Sequence, residues 1–263
     1  MGRSARRLAS LLGPFLVVAV VALAAHPAGA GSLHSKGGTI KAVVVKSWSG
    51  CGSGSVIWDD LNASWSRYGS IPISIDYSNQ DLCAGTVTYD ALVASGADVV
   101  IISDAAGGTR QYSQSEIDAV QKYVTQGHNI IATFVTFFWG SVDNRGLAPI
   151  FGIKRSTSYL PDEQAVTPTY DLLSPDSPLF RDLPDPYQSA GYPSSQVPSD
   201  GAWSSNELQF AQLMGKTSDS RAIILVGALA SSARIYISNM PEYQGGTQDK
   251  QFFYNAIIYP QTG

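Results

Sequence analysis

The chain has 263 residues, 44% of them apolar, and a formal charge of −4 from 17 basic and 21 acidic side chains. That length suits one large domain rather than a repeat array or a short peptide. An acidic balance without a basic run argues against nucleic acid and anionic membranes as partners.

Residues 1–30 read as a secretory signal peptide. Arg3, Arg6 and Arg7 make a basic start, an apolar run follows from Phe15 to Ala25, and Ala28-Gly29-Ala30 is a small-x-small cleavage site. The run is too short to span a bilayer comfortably, so no stable membrane span is expected after cleavage. Removing 30 of the 263 residues leaves 233; the leader takes three of the 17 basic residues and no acidic one, so 14 against 21 gives a mature charge of −7. The expected location is extracellular or in the cell envelope. Residues 31–38 form a short tail, and 39–260 the folded domain.

Lys41–Lys46 is a valine-rich run of the kind buried on both faces of a sheet. Cys51 follows it, and Cys83 is the other cysteine. An even pair in an oxidising compartment reads as a disulfide, with two free thiols as the alternative. Closing a loop of roughly 30 residues contributes about 3–4 kcal/mol in the chain-entropy account. Between the cysteines, Ser55–Tyr68 carries Val56, Leu61 and Trp65 at near-helical spacing, and Ile71–Asp76 reads as a strand. Asn62-Ala63-Ser64 matches a glycosylation sequon, but falls inside that predicted helix.

Tyr89–Ser95 reads as a short helix closed by Gly96, and Asp98–Ser103 as a third buried strand. Ser113 and Glu116 form a capping box that opens a helix with Ile117, Val120, Tyr123 and Val124 on its apolar stripe and Gly127 as its stop. Asn129–Val135 is the fourth strand. Strands alternating with helices predict a three-layer α/β/α, flavodoxin-like parallel sheet.

The C-terminal half reads as irregular and loop-rich. Ser174–Pro186 carries four prolines and predicts turns with a single helical turn, and Pro186–Ser205 predicts a long loop without regular structure. Strands are predicted at Leu208–Leu213, Ala222–Val226 and Arg234–Ser238, then a helix over Gln248–Ile258.

Several stretches, in this order, resemble the class I glutamine amidotransferase-like superfamily and within it the trehalose-utilisation (ThuA-like) proteins. They are Gly96–Gly108 (a strand and glycine loop), Tyr123–Ile131, Leu147–Ile153 with its Phe-Gly-Ile ending, Pro178–Pro184, and Asn239-Met240-Pro241-Glu242. In that superfamily the last stretch carries a His-Pro-Glu motif whose histidine activates a cysteine on a Gly-x-Cys-x-Gly elbow. Here Met240 stands at the histidine position, and the elbow stretch reads Ala132-Thr133-Phe134-Val135-Thr136. A phenyl ring and a thioether supply neither thiolate nor base, so the resemblance implies an amidotransferase-like scaffold without glutaminase chemistry.

Of the histidines that survive cleavage, His34 lies in the tail. His128 lies between a helix-ending glycine and a strand, which puts it at the opposite sheet edge from the one where ligands of open α/β sheets bind. That argues against a histidine-based metal site or triad, and no cofactor is implied. The carboxyl rim of the sheet gathers Trp48, Asp104, Arg110, Gln111, Asp143, Arg145 and Glu242. Acidic, amide, cationic and aromatic groups at one rim suit a small polar ligand, a sugar or polyol among them. Gly107-Gly108 suits either an anion-binding turn or a tight turn alone. The competing readings are a glycan-directed hydrolase using Asp104 and Glu242 as its two carboxyls, and a structural module of a cell-envelope complex. The oligomeric state is left open.

Overall fold

The valine- and isoleucine-rich runs become the central strands because they are apolar on both sides of the pleat and need cover from both. A computed structural model describes residues 38–48, 51, 56–154, 169–190, 210–217, 223–229, 232–239 and 246–262. The expected signal peptide, Met240, Glu242 and most of the Pro186–Ser205 segment lie outside the described residues.

The chain runs β1 (Ile40–Val44), α1 (Val56–Ser64) with a 3₁₀ turn at Trp65–Arg67, β2 (Ile73–Asp76), α2 (Gln80–Cys83), α3 (Tyr89–Ala94) and β3 (Val99–Ser103). It continues with α4 (Gln114–Thr125), β4 (Asn129–Thr133), the hairpin β5 (Phe138–Trp139) and β6 (Val142–Asp143), and a 3₁₀ helix at Arg145–Phe151. Then come β7 (Thr169–Leu172), a 3₁₀ turn at Pro178–Phe180, β8 (Tyr187–Gln188), β9 (Ala211–Thr217), β10 (Ile223–Leu229), β11 (Ser232–Ile237) and α5 (Thr247–Thr262).

Nine of these strands form one sheet in the order β2-β1-β3-β4-β11-β10-β9-β7-β8. The five from β2 to β11 are parallel, and the pairings from β11 through β10, β9, β7 and β8 are antiparallel. The expected α/β/α layering holds: α1 and α5 cover one face, with Trp58, Leu61, Phe252, Phe253 and Ile257 buried against Ile101 and Ile131. On the other face α3 and α4 bury Leu92, Val120, Tyr123 and Val124 against Val100 and Ile102. Each large side chain so buried contributes about 1.5–3 kcal/mol. Trp58 and Phe253 meet edge to face at 5.2 Å, joining α1 to α5.

The expected parallel sheet is present over β2, β1, β3, β4 and β11, and the expectation of an irregular C-terminal half is refined. The C-terminal half extends the sheet with antiparallel strands, and Tyr187–Gln188, inside the predicted loop, pairs with Thr169–Tyr170. β4 ends at Thr133, two residues early, because the chain turns sharply at Phe134, whose φ is 46°. The exposed edge at β2 is blunted by side chains. The Asn62 amide accepts from Ile75 N–H (2.6 Å) and donates to Ile75 C=O (2.9 Å), and Tyr254 Oη accepts from Ile71 N–H at 2.9 Å. The Asn62 sequon therefore sits on an amide already committed to the fold.

Cys51 and Cys83 are bonded, with Cα atoms 5.4 Å apart, joining the segment after β1 to α2. Reduction, or Cys83→Ser, is expected to lower the unfolding free energy by about 3 kcal/mol, read as a shifted midpoint in urea. An unchanged midpoint would show that the bridge does not constrain the unfolded chain.

Candidate functional site at the β1–β3 switch point

In the order β2-β1-β3-β4, strands β1 and β3 lie side by side while their chain continuations diverge. β1 leads to α1 on one face, and β3 leads to α4 on the other. Such a reversal opens a crevice beyond the carboxyl ends of the two strands, where open α/β sheets take their ligands.

Two backbone segments line this crevice. Trp48 N–H donates to Ser103 C=O at 3.0 Å, which ties the segment past β1 to the last residue of β3. The segment after β3 turns back on itself: Gly108 N–H bonds Asp104 C=O, Thr109 N–H bonds Ala106 C=O, and Arg110 N–H bonds Ala105 C=O. Three successive amides are thus spent inside the loop, and the tight-turn reading of Gly107-Gly108 is the one the geometry favours. A Cβ at position 108 would lie 2.3 Å from Trp48 Cα, so the approach of the two segments requires glycine there. Trp48 stands over that glycine with 46% of its surface exposed. Beside it, Arg110 Nε donates to Ser47 C=O at 3.3 Å.

Two buried side chains, Glu116 and Asn144, hold this rim in place through bonds to distant segments that the sequence does not reveal. Glu116, in the first turn of α4, is 2% exposed and accepts from three segments. Oε1 takes Lys46 Nζ at 2.7 Å and Val87 N–H at 3.1 Å, and Oε2 takes Ser113 N–H at 2.8 Å and Ser113 Oγ at 2.9 Å. Burial alone would raise the Glu116 pKa; the bonds from Lys46, Ser113 and Val87 outweigh it and hold the carboxyl below its ordinary value. Asn144 is fully buried: its Oδ1 accepts from Tyr112 N–H at 2.8 Å, and its Nδ2 donates to Arg110 C=O at 2.7 Å and Thr136 C=O at 3.2 Å. It splices the segment after β3 to the one after β4. The capping-box spacing marks Glu116 as a helix N3 residue, but nothing local reveals its bonds to residues 46 and 87.

The remaining expected rim residues separate into exposed and buried groups. Gln111, Asp143 and Arg145 are exposed and bound to one another. The Gln111 amide accepts from Asp143 N–H at 3.1 Å and donates to its C=O, and Arg145 ion-pairs with Asp143 while resting on the Phe138 ring at 5.2 Å. The hydrogen bonds from Arg145 hold the Asp143 carboxyl below its ordinary pKa. Asp104 is 2% exposed, its φ is 46°, and its carboxylate folds under its own loop, where a Cβ on Gly107 would come within 2.2 Å of Oδ1. Glu242 lies outside the described residues, so the two-carboxyl arrangement has no measurable separation. His128 is far from the crevice, at the start of β4, stacked on Tyr123 at 4.0 Å, and burial lowers its pKa.

Phe134, just past the end of β4, has a left-handed backbone that a bulky residue rarely adopts. β11 pins it from both sides: Phe134 N–H donates to Ile237 C=O at 2.7 Å, and its own C=O accepts from Tyr236 Oη at 3.0 Å. Beyond β11 a second buried polar group gathers. Asn239 Nδ2 donates to Ser189 Oγ at 2.8 Å and Asp249 Oδ1 at 3.2 Å, its Oδ1 accepts from Tyr170 Oη at 2.6 Å, and Tyr187 Oη donates to Asp249. Burial raises the Tyr187 pKa well above its ordinary value, so the phenol stays a donor. Among the described residues no cluster of His, Cys, Asp and Glu is placed to hold a metal ion, and no helix is long and apolar enough to cross a membrane.

No family model and no curated protein matches this chain. Solved structures do. A GMP synthase subunit-like protein from Thermoplasma acidophilum shares 14% identity over 86% of this chain and 96% of its own, with a TM-score of 0.51. A ThuA-like protein from Bacteroides uniformis shares 11% identity over 85% of this chain and 96% of its own, TM-score 0.50. A cold-adapted β-galactosidase from a Rahnella species shares 16% identity over 84% of this chain but only 31% of that enzyme, TM-score 0.50. At these identities the likeness establishes architecture alone: a mixed nine-stranded α/β fold.

Glu116→Gln is expected to cost about 2–3 kcal/mol at neutral pH, since it removes one partner of a buried charge pair. The sign with pH follows from the lowered pKa. The stabilisation is complete above the unfolded value of about 4.5 and disappears as pH falls through the lower folded value. Urea unfolding of wild type and variant should therefore differ most at neutral pH and converge on acidification; a gap that stays constant would contradict the assignment.

Proposed function

We propose that this chain is an exported, amidotransferase-like domain that binds a small polar ligand, a carbohydrate, at the β1–β3 crevice, and that it carries no glutaminase activity. The observation that carries the reading is Trp48. Its indole is 46% exposed at the switch point, clamped from behind by Gly108, and bordered by Arg110. A fixed, solvent-facing indole offers an apolar face for the C–H side of a sugar ring. The neighbouring Arg110 guanidinium and Gln111 amide supply donors, and Asp143 supplies an acceptor for hydroxyls.

Loss of glutaminase chemistry is supported by Phe134. Its backbone turns as an elbow should, but the side chain offered there is a hydrocarbon, and Met240 stands where the base would. Asp104, buried beneath its loop, shapes the rim rather than presenting a carboxyl to a ligand, which favours binding over the two-carboxylate hydrolase. The signal-like leader and the Cys51–Cys83 bridge support export.

A glycan-array screen of the mature protein, followed by titration of the best ligand, tests this. Trp48→Ala should weaken binding by about tenfold or more, His128→Ala should leave it unchanged, and no ammonia should be released from glutamine. A ligand insensitive to Trp48→Ala but lost with His128→Ala would place the site at the opposite edge of the sheet. Glutaminase activity would overturn the reading outright.

A further inference from the structure

Among the described residues, three cations near the crevice differ in standing. Lys46 is committed to Glu116 at 2.7 Å, and Arg145 is paired with Asp143. Arg110 has no carboxylate partner among the described residues. Its Nε donates to Ser47 C=O at 3.3 Å, and neither Nη group is engaged by a hydrogen bond or ion pair among the described residues. That carbonyl belongs to the residue immediately before Trp48, so the guanidinium is tethered beside the backbone that carries the exposed indole. Asn144 fixes the other end of the assembly by accepting from Tyr112 N–H and donating to Arg110 C=O.

We infer that Arg110 and Trp48 form a subsite for a carboxylated sugar, a hexuronate unit. A guanidinium with two free Nη groups matches a carboxylate in the bidentate geometry that gives Arg its preference for such anions. The partly enclosed position beside Trp48 makes the pairing stronger than one in open water. A neutral hexose would leave that cation unmatched while taking only the stacking face. The two rim carboxylates named above do not compete for the fork: Asp143 is taken by Arg145, and Asp104 is folded under Gly107. A net negative chain accepting an anion at one unneutralised arginine also implies that binding weakens as salt rises.

This inference rests on the carbohydrate reading above, and the test separates the two. Methyl glucuronide, methyl glucoside and acetate are titrated calorimetrically into the mature protein and into Trp48→Ala, Arg110→Gln and Arg110→Lys, each checked for an unchanged thermal transition. The expected result is that the glucuronide binds at least about tenfold more tightly than the glucoside. Arg110→Gln should erase that preference, Arg110→Lys should restore part of it, and acetate alone should bind poorly. Equal affinity for glucuronide and glucoside, indifferent to Arg110→Gln but lost with Trp48→Ala, would overturn the uronate assignment and leave the carbohydrate reading standing. Acetate binding as tightly as the glucuronide, unaffected by Trp48→Ala, would make this an anion site and overturn both. Binding of none of the three overturns the subsite.

Discussion

One carboxylate does more than any other group to decide where the rim of this molecule sits. Glu116 lies in the first turn of α4, yet it bonds Lys46 two residues past β1, Val87 two residues before α3, and its own helix cap. A buried carboxylate is unfavourable unless its lone pairs are filled, and these are filled by three separate stretches of chain. Each of those stretches is thereby tied to the same point. The Lys46 backbone, at a left-handed φ of 32°, takes its place because its ammonium is drawn to Glu116 and its N–H to Leu82 C=O.

The strain at the rim follows the same logic. Lys46, Asp104 and Phe134, each just past the end of a parallel strand, all have positive φ. Such a conformation costs about 1–3 kcal/mol for a non-glycine residue and persists only where neighbours over-determine it. Here the neighbours are identifiable: Glu116 and Leu82 for Lys46, Thr133 Oγ1 for the Asp104 amide at 3.2 Å, and the Ile237 and Tyr236 partners of Phe134. The outcome is a rigid floor at the switch point, with Gly108 drawn against Trp48 and the indole held outward. A binding surface fixed before the ligand arrives loses less conformational entropy on binding.

The parallel core was legible because its signals are local. Val99–Ser103 and Asn129–Thr133 are apolar on both faces, and Ser113 with Glu116 announces α4 in four residues. The antiparallel extension was not, because its strands are made by their partners. Thr169–Leu172 alternates buried and exposed over only four residues, and Tyr187–Gln188 is a strand only through its pairing with β7. The predicted Leu208–Leu213 strand begins at Ala211 and runs on to Thr217 through Gly215 and Lys216, weak strand formers held by β10 on one side and β7 on the other. Sequence order places Trp48, Arg110, Gln111, Asp143 and Arg145 beyond the carboxyl ends of parallel strands, since that follows from which strand each residue trails. It could not show that Asp104 turns inward, because a left-handed residue redirects its side chain and nothing in the neighbouring letters requires that conformation. Glu116 and Asn144 were hidden for a related reason: their partners are distant in sequence, 70 residues for Lys46 and 32 for Tyr112.

The claim that one carboxylate sets the rim is tested most directly by amide hydrogen exchange on Glu116→Gln and wild type. Loss of protection is predicted at three separate places, Val87, Ser113 and the Lys46–Trp48 segment, while the amides of β3 and β4 stay protected. Loss confined to Ser113 and the first turn of α4, with Val87 and Trp48 exchanging as in wild type, would show that Glu116 caps its helix and no more.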